Sequence, residues 1–139
     1  MEKRLDSALA QLTAAIADFE RSLLIDISVL EDTVADAVRN GQAQKFEFTV
    51  ELFWKTVKVM LLERHGFDVG SPKNVVKKYF ELGYIGYPQC ERFLHALDIR
   101  NSLSHIYSKD GFLALFKEIA DFGGFFSLAA SRMQSETST

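Results

Sequence analysis

The segment RNSLSHIY, residues 100–107, places side chains that can handle phosphate in an otherwise apolar, helix-forming region. At about 100° per residue, Arg100 and Tyr107 lie nearly in line on one helix face, while Asn101 and His105 share the neighbouring stripe one turn apart. Arginine offers a permanent charge and a planar fork that suits phosphate, and histidine gains or loses a proton near neutral pH. This combination suits phosphodiester chemistry.

The same side chains have an alternative role in stabilising a helix end. Arg100, His105 and Tyr107 near a helix C-terminus can satisfy the last backbone carbonyls and interact favourably with the helix dipole. One arginine and one histidine at this spacing do not distinguish a phosphate site from a cap. Both interpretations stay open on the spacing alone.

Composition predicts a folded globular protein without a broad attraction to nucleic acid. The chain has 139 residues, 47% of them hydrophobic, which is enough for one core. A net charge of -3 argues against general electrostatic binding of nucleic acid, so any contact with RNA must be local. The single Cys90 cannot form an intrachain disulfide, and the expected location is the reducing cytoplasm. The longest apolar run, residues 122–130, is shorter than the roughly 20 residues of a membrane helix, so no membrane span is expected.

Hydrophobic periodicity predicts an all-α fold. Apolar residues recur three and four positions apart along most of the chain, and no segment alternates convincingly as a strand does. The expected architecture is one up-and-down bundle of four to five helices over residues 1–133, followed by a flexible tail at 134–139.

Capping and breaking residues predict where these helices start and end. After a first helix that reaches Leu23, Ser28 is a candidate start for the next one, and Asn40-Gly41 indicates a stop or a kink. Later boundaries are predicted at His65-Gly66, Ser71-Pro72, Gly83, Pro88 and a turn at residues 108–111. A last helix is expected to follow that turn.

Three segments together resemble the nucleotidyltransferase substrate-binding protein family, a branch of the HEPN superfamily of small helical nucleotide-binding and RNase domains. They are KFEFTVELFWKTVK (45–58), SPKNVVKKYFELGYI (71–85) and RNSLSHIY (100–107), which matches the Arg-x4-His-x-Tyr signature of that superfamily. The segments follow in the family's order and spacing. The sequence departs from the family pattern at Lys45, where an arginine is expected, and at Phe93, where a tryptophan is frequent.

The resemblance implies a HEPN-like bundle that forms a homodimer and works with a small nucleotidyltransferase encoded nearby. In this branch the usual role is to present a substrate, a nucleotide or RNA, to the transferase. In related HEPN proteins the Arg-x4-His motif cleaves RNA without a metal, the paired transferase acts as antitoxin, and the motif tyrosine is the group that it modifies. Carried onto this chain, Arg100 and His105 are the candidate binding or catalytic residues, and Tyr107 is the candidate modification site.

RNA cleavage by such a motif has requirements that one chain does not meet. Attack by the 2′-OH of RNA needs a base, an acid for the leaving oxygen, and positive charge on the phosphate. One chain supplies one motif histidine, so a twofold dimer is expected to place two copies of the motif around one phosphate. Asn101 and Ser104 would orient the imidazole or the phosphate. A nucleotide attached to Tyr107 would add bulk and negative charge that block RNA entry.

Other polar and aromatic residues are weaker candidates. Glu47, Glu51 and Lys55 recur every four residues, which is typical of a solvated face with salt bridges. Because they lie in a family segment, all three are also possible site-lining residues, as is Lys73 from a small basic patch. Trp54 is expected in the core or in a dimer interface.

Two hypotheses from different classes remain. His65, His95 and Cys90 show no metal-ligand spacing, so no metal or cofactor is expected. Neither a phosphate-binding glycine loop nor a Gly-Ser pair typical of nucleotidyltransferase catalysis is visible, so the chain is not expected to be the transferase itself. The protein is therefore either the substrate-binding partner of a nucleotidyltransferase or, alternatively, a metal-independent endoribonuclease toxin inhibited by nucleotidylation of Tyr107.

Overall fold

The structure, a computed structural model, describes residues 3–106 and 108–137, and this part of the chain is helical without a strand. The α-helices are α1 (Lys3–Leu23), α2 (Asp32–His65), α3 (Pro72–Glu81), α4 (Tyr87–Leu103), α5 (Lys109–Ile119) and α6 (Gly123–Thr137). Short 3-10 turns lie at Ile27–Val29 and Ala120–Phe122. Since α5, the second 3-10 turn and α6 follow one another directly, the described residues form five helical segments. The predicted all-α bundle is confirmed.

Phenylalanine side chains from several helices meet at the centre of the core. The ring of Phe126 in α6 lies 5.9 to 6.2 Å, between centroids, from the rings of Phe19 in α1 and of Phe46 and Phe53 in α2. α4 joins this cluster through Phe93, whose ring meets that of Phe53 edge-on at 4.5 Å. All five side chains are fully buried. The long α2 is therefore the element against which α1, α4 and α6 pack.

The apolar stripes predicted for the first and central helices face this core, as expected. Leu23, the last apolar residue of the α1 stripe, is half-buried. The buried members are Leu5, Leu9, Leu12, Ile16 and Phe19 in α1, and Phe46, Val50, Phe53, Val57, Met60 and Leu61 in α2. Helical spacing of apolar residues was thus a sufficient signal for both helices.

Several predicted helix ends are confirmed. α2 ends at His65, and Gly66 follows with a φ of 73°, while Gly83 after α3 has a φ of 85°. Glycine adopts this left-handed conformation at little cost, which is why it ends helices. α3 begins directly after Ser71, and α4 carries Pro88 in its first turn. These ends depend on local backbone preferences that the sequence displays.

Of the stop or kink predicted at Asn40-Gly41, the stop is wrong. α2 runs without interruption from Asp32 to His65. Its first residue also lies after the predicted start at Ser28. A glycine inside a helix costs about 1 kcal/mol relative to alanine. The next two residues, Gln42 and Ala43, are buried where α2 packs on α1. This packing outweighs the local preference for a break.

The last helix and the tail also differ from expectation. Residues 108–111 begin α5, with the Ser108 hydroxyl accepting a hydrogen bond from the Gly111 N–H. The segment expected to be one helix is interrupted at Ala120–Phe122. α6 then continues to Thr137, through residues expected to be a flexible tail. Arg64 of α2 donates hydrogen bonds to the last two carbonyls of α6 and so supports the helix end from a distant part of the chain.

The length of α2 does not make it a membrane helix. Its 34 residues would be long enough to cross a bilayer, but charged side chains occur along the whole helix. Within residues 3–106 and 108–137, no helix combines the length and the apolar character needed to span a membrane.

Gln42 ties α2 to the end of α1 and offers a test of this packing. Its side chain is 2% exposed, and its Nε2 donates a hydrogen bond to the Ser22 carbonyl. Gln42→Ala should lower the free energy of unfolding by about 1–3 kcal/mol, since it removes a buried hydrogen bond and leaves a small cavity. Gln44→Ala, at an exposed position of the same helix, should stay within about 0.5 kcal/mol of the parent. Urea denaturation followed by circular dichroism compares them, and equal losses would contradict the prediction.

Candidate functional site

Arg100 and Glu51 form the centre of the candidate site. Arg100 lies in the last turn of α4 and Glu51 in the middle of α2, and the Arg100 Nη2 is 3.0 Å from the Glu51 Oε2. The packing of Phe53 on Phe93 holds these two helices side by side beneath the pair. The Arg100 side chain is 34% exposed. Its charge is therefore open to solvent but anchored on a neighbouring helix.

Glu51 accepts interactions from three side chains. Besides Arg100, the Trp54 Nε1 donates to Oε2 at 3.1 Å, and the Lys55 Nζ lies 3.2 Å from Oε1. Burial raises the pKa of Glu51, but the hydrogen bonds from Trp54 and Lys55 and the charges of Arg100 and Lys55 outweigh burial, so the pKa is lowered. Glu51 is consequently ionised at neutral pH and holds the guanidinium in one position. Lys55, predicted as a possible lining residue, is thus brought to the site.

His105 lies beyond the end of α4. The helix ends at Leu103, and the N–H groups of Ser104 and His105 bond to the carbonyls of Asn101 and Ser102 in a tight turn. The predicted helical stripe shared by Asn101 and His105 is therefore wrong, because the helix stops before it reaches the histidine. The His105 side chain is exposed and makes no hydrogen bond or ion pair with the described residues. Its imidazole is accessible to a ligand.

The Arg100 and His105 side chains do not cap the end of α4 with hydrogen bonds. Backbone N–H groups satisfy the carbonyls of Asn101 and Ser102, while the Arg100 guanidinium is directed to Glu51. Within the described ranges, no hydrogen bond joins the Arg100 or His105 side chain to a carbonyl of this helix end. For these two side chains, the capping interpretation thus lacks the hydrogen bonds it needs.

The remaining motif residues surround this helix end. Asn101 is exposed, and its Oδ1 lies 3.5 Å from the Arg100 Nη1. Ser104 is exposed at the C-cap of α4. The predicted modification site, Tyr107, lies outside the described residues.

Lys73 lies on another side of α4. Its Nζ is 2.7 Å from the Asp98 Oδ1, an ion pair that links α3 to α4. Asp98 precedes Arg100 by two residues, which is about 200° around the helix. The structure therefore does not place Lys73 beside the Glu51–Arg100 pair.

A cavity of about 300 Å³ lies one helical turn from Glu51. Its lining comes from α2, from the end of α4 and from the start of α5: Asn40, Ala43, Glu47, Leu103, Ile106, Ser108 and Phe112. Burial raises the pKa of the half-buried Glu47 carboxyl, and the charge of Arg100 opposes that rise. The sequence predicts Glu47 either on a solvated face or, as part of a family segment, among the possible site-lining residues, and it does not indicate Asn40 or Phe112 as site residues. The available signal was the four-residue spacing of Glu47 and Glu51, which places both carboxylates on one side of α2.

Comparison with known proteins identifies the family of this chain. The sequence matches the model of the family described as nucleotidyltransferase substrate binding protein like over residues 3–135. It is 28% identical over 124 residues to a Haemophilus influenzae protein named probable ribonuclease HepT, an alignment that covers 85% of this chain and 81% of the relative.

Two solved structures share the fold. One, from Haemophilus influenzae, is described as revealing the fold of a substrate binding domain of a nucleotidyltransferase. It superposes with a TM-score of 0.79 at 26% identity and covers 91% of this chain and 98% of its own. The other, a protein from Thermus thermophilus, has a TM-score of 0.75 at 24% identity, covers 87% of this chain and 97% of its own, and supports the fold alone. Since the family model matches nearly the whole chain and the helical bundle is shared, this protein belongs to the nucleotidyltransferase substrate-binding protein family.

Proposed function

We propose that this protein is the substrate-binding partner of a small, separate nucleotidyltransferase and that Arg100 and His105 bind a phosphate of a nucleotide or RNA. Membership of the family supports the general role. The observation that carries the proposal is the Arg100 guanidinium, which Glu51 anchors in the last turn of α4, five residues before the exposed His105. A fixed cation and an exposed histidine at the same helix end form a combination suited to binding phosphate.

The geometry supports phosphate binding in a specific way. The Arg100 Nη2 is committed to Glu51, but the contact of Nη1 with Asn101 is long, at 3.5 Å. Nη1 therefore retains capacity to donate a charge-assisted hydrogen bond to a ligand. Because the ion pair already restricts the arginine, less side-chain freedom is lost on binding than with an unanchored arginine. Asn101 and Ser104 would add polar contacts around the same phosphate.

The second candidate function is a metal-independent endoribonuclease, which the name of the curated relative, probable ribonuclease HepT, favours. Cleavage needs both a base and an acid, and each chain contributes one motif histidine. This function therefore requires a homodimer in which two RNSLSH segments face one phosphate. In that case Tyr107 is the proposed group on which the nucleotidyltransferase acts to inhibit cleavage.

Expression of the chain alone, and together with the small nucleotidyltransferase proposed to be encoded nearby, tests these functions. For a substrate-binding partner, the two proteins should co-purify, and the chain alone should leave growth and RNA intact. Growth arrest with RNA cleavage when the chain is expressed alone would favour the endoribonuclease. Failure to co-purify, with no RNA cleavage, would contradict both.

The same experiment reports on Tyr107. After incubation with the transferase and ATP, intact mass spectrometry should show a nucleotide adduct on the parent chain if the regulated endoribonuclease is correct. Tyr107→Phe keeps the ring and removes the hydroxyl, so the adduct should disappear. Tyr87→Phe removes the hydroxyl of an exposed tyrosine in α4 and should leave the adduct in place. An adduct that persists on Tyr107→Phe would exclude this tyrosine as the modified group.

A further inference from the structure

The phosphate-binding role does not account for Glu47. A carboxylate near bound phosphate is repulsive, and Glu51 avoids this problem by pairing with Trp54, Lys55 and Arg100. Glu47, in contrast, makes no hydrogen bond or ion pair with any residue in the described ranges, although it is half-buried. A partly desolvated acceptor without a donor is unfavourable. A ligand that supplies donors would remove this cost.

The cavity beside Glu47 has the size and walls of a small ligand site. Its volume, about 300 Å³, is at the lower end of the range for small-molecule pockets. Leu103, Ile106 and Phe112 form apolar walls, and an aromatic side chain such as Phe112 is a suitable surface for stacking a flat ring. These features fit a planar heterocycle.

The one charged side chain among the described residues that line the cavity is an acceptor. Glu47 offers two carboxylate oxygens. The Asn40 Nδ2 donates one of its two hydrogens to the Asp36 carbonyl at 2.8 Å, which leaves the other hydrogen and the Oδ1 for other groups. An occupant that pairs with both Glu47 oxygens must therefore carry two adjacent donors.

We propose that this cavity binds the base of the nucleotide or RNA residue whose phosphate lies on Arg100, and that Glu47 selects guanine. The inference rests on the proposed function and specifies its ligand. Guanine is the RNA base with two neighbouring donors on its pairing edge, N1–H and the 2-amino group, and one carboxylate can accept both. Adenine and cytosine place an acceptor beside their amino group, and uracil places an acceptor on each side of its N–H. Each of these bases would bring an acceptor against the Glu47 carboxylate.

Calorimetric titration of the full chain with nucleoside monophosphates tests the selection. GMP should bind about tenfold or more tightly than AMP, CMP or UMP, because hydrogen bonds to a charged group are worth about a factor of ten or more each. IMP, which lacks only the 2-amino group, should lie between GMP and the others. This comparison uses the parent protein and does not depend on the folding of a variant.

Substitution of Glu47 assigns the preference to this side chain. Glu47→Gln should lower the GMP affinity about tenfold and leave the AMP affinity within about twofold, since an amide offers a donor where guanine also has one. Glu47→Asp, a second variant that keeps the charge but shortens its reach, should lose part of the preference. Glu81→Gln, an exposed glutamate at the end of α3, is the matched control and should bind like the parent.

Binding of short RNA distinguishes two possible ligands, RNA and a free nucleotide. A uridine tetranucleotide with one guanosine should bind more tightly than the all-uridine tetranucleotide in either case. If RNA is the ligand, it should also bind more tightly than GMP, and if a free nucleotide is the ligand, GMP should bind at least as tightly. Equal binding of the two tetranucleotides together with equal binding of all monophosphates would overturn guanine selection.

The failure of this inference is distinguishable from failure of the proposed function. If the parent protein binds the four monophosphates equally and Arg100→Ala loses this binding, guanine selection is overturned but the phosphate site is supported. Guanine selectivity unchanged in Glu47→Gln would overturn the role of Glu47. No binding of any nucleotide or RNA would overturn both the inference and the phosphate site.

Discussion

His105→Ala and Arg100→Ala are each expected to abolish binding of nucleotide or RNA while leaving the melting temperature nearly unchanged. His105 is exposed and makes no side-chain bond with the described residues, so its removal should cost the fold little. Arg100 is only partly buried, and an ion pair of this kind contributes roughly 0–1 kcal/mol. Its loss also leaves Glu51 with the Trp54 and Lys55 donors. If the chain cleaves RNA, both variants should abolish cleavage as well.

The controls for this prediction remove the same side-chain types elsewhere. Arg21→Ala on α1 and His95→Ala on α4 should retain ligand binding, which is measured by titration beside a thermal melt for every variant. A helix cap would behave in the opposite way. Loss of a cap costs about 0.5–2 kcal/mol and would lower the melting temperature by several degrees while sparing the ligand. That outcome for Arg100→Ala and His105→Ala would refute the phosphate site.

Phe126→Ala is expected to be the most destabilising single substitution in the core. The Phe126 ring contacts phenylalanines from α1, α2 and the 3-10 turn before α6, and it is fully buried. Truncation of such a ring costs about 3–5 kcal/mol, a large part of the roughly 5–15 kcal/mol that stabilises a protein of this size. Urea denaturation gives the change in unfolding free energy.

A matched truncation on the surface completes this test. Phe48 lies on α2 with 60% of its surface exposed, so Phe48→Ala should change the unfolding free energy far less. Phe126→Leu, which keeps most of the apolar volume, should fall between the two and remains measurable if Phe126→Ala does not fold. A loss below about 1.5 kcal/mol for Phe126→Ala would mean that the aromatic cluster is not the centre of the core.

The sequence by itself determined the helical class, the buried stripes of α1 and α2, and the helix ends at Gly66, Ser71 and Gly83. These features depend on interactions within a few residues: the spacing of apolar side chains on a helix, and the backbone angles that glycine and proline permit. The Arg-x4-His spacing was likewise visible, and with two other segments it was sufficient to recognise the family.

Tertiary structure alone decided the course of α2 through Gly41 and the geometry of the site. Packing of Gln42 and Ala43 against α1 outweighs the local preference for a break. The residues around Asn40 show no sequence pattern that would predict this packing. The partner of Arg100 is also hidden in the sequence, because Glu51 lies on another helix and reaches it only when α2 and α4 pack through Phe53 and Phe93. The cavity beside Glu47 arises in the same way from three helices. Contacts between residues far apart in the chain depend on how the helices pack, which local periodicity does not encode.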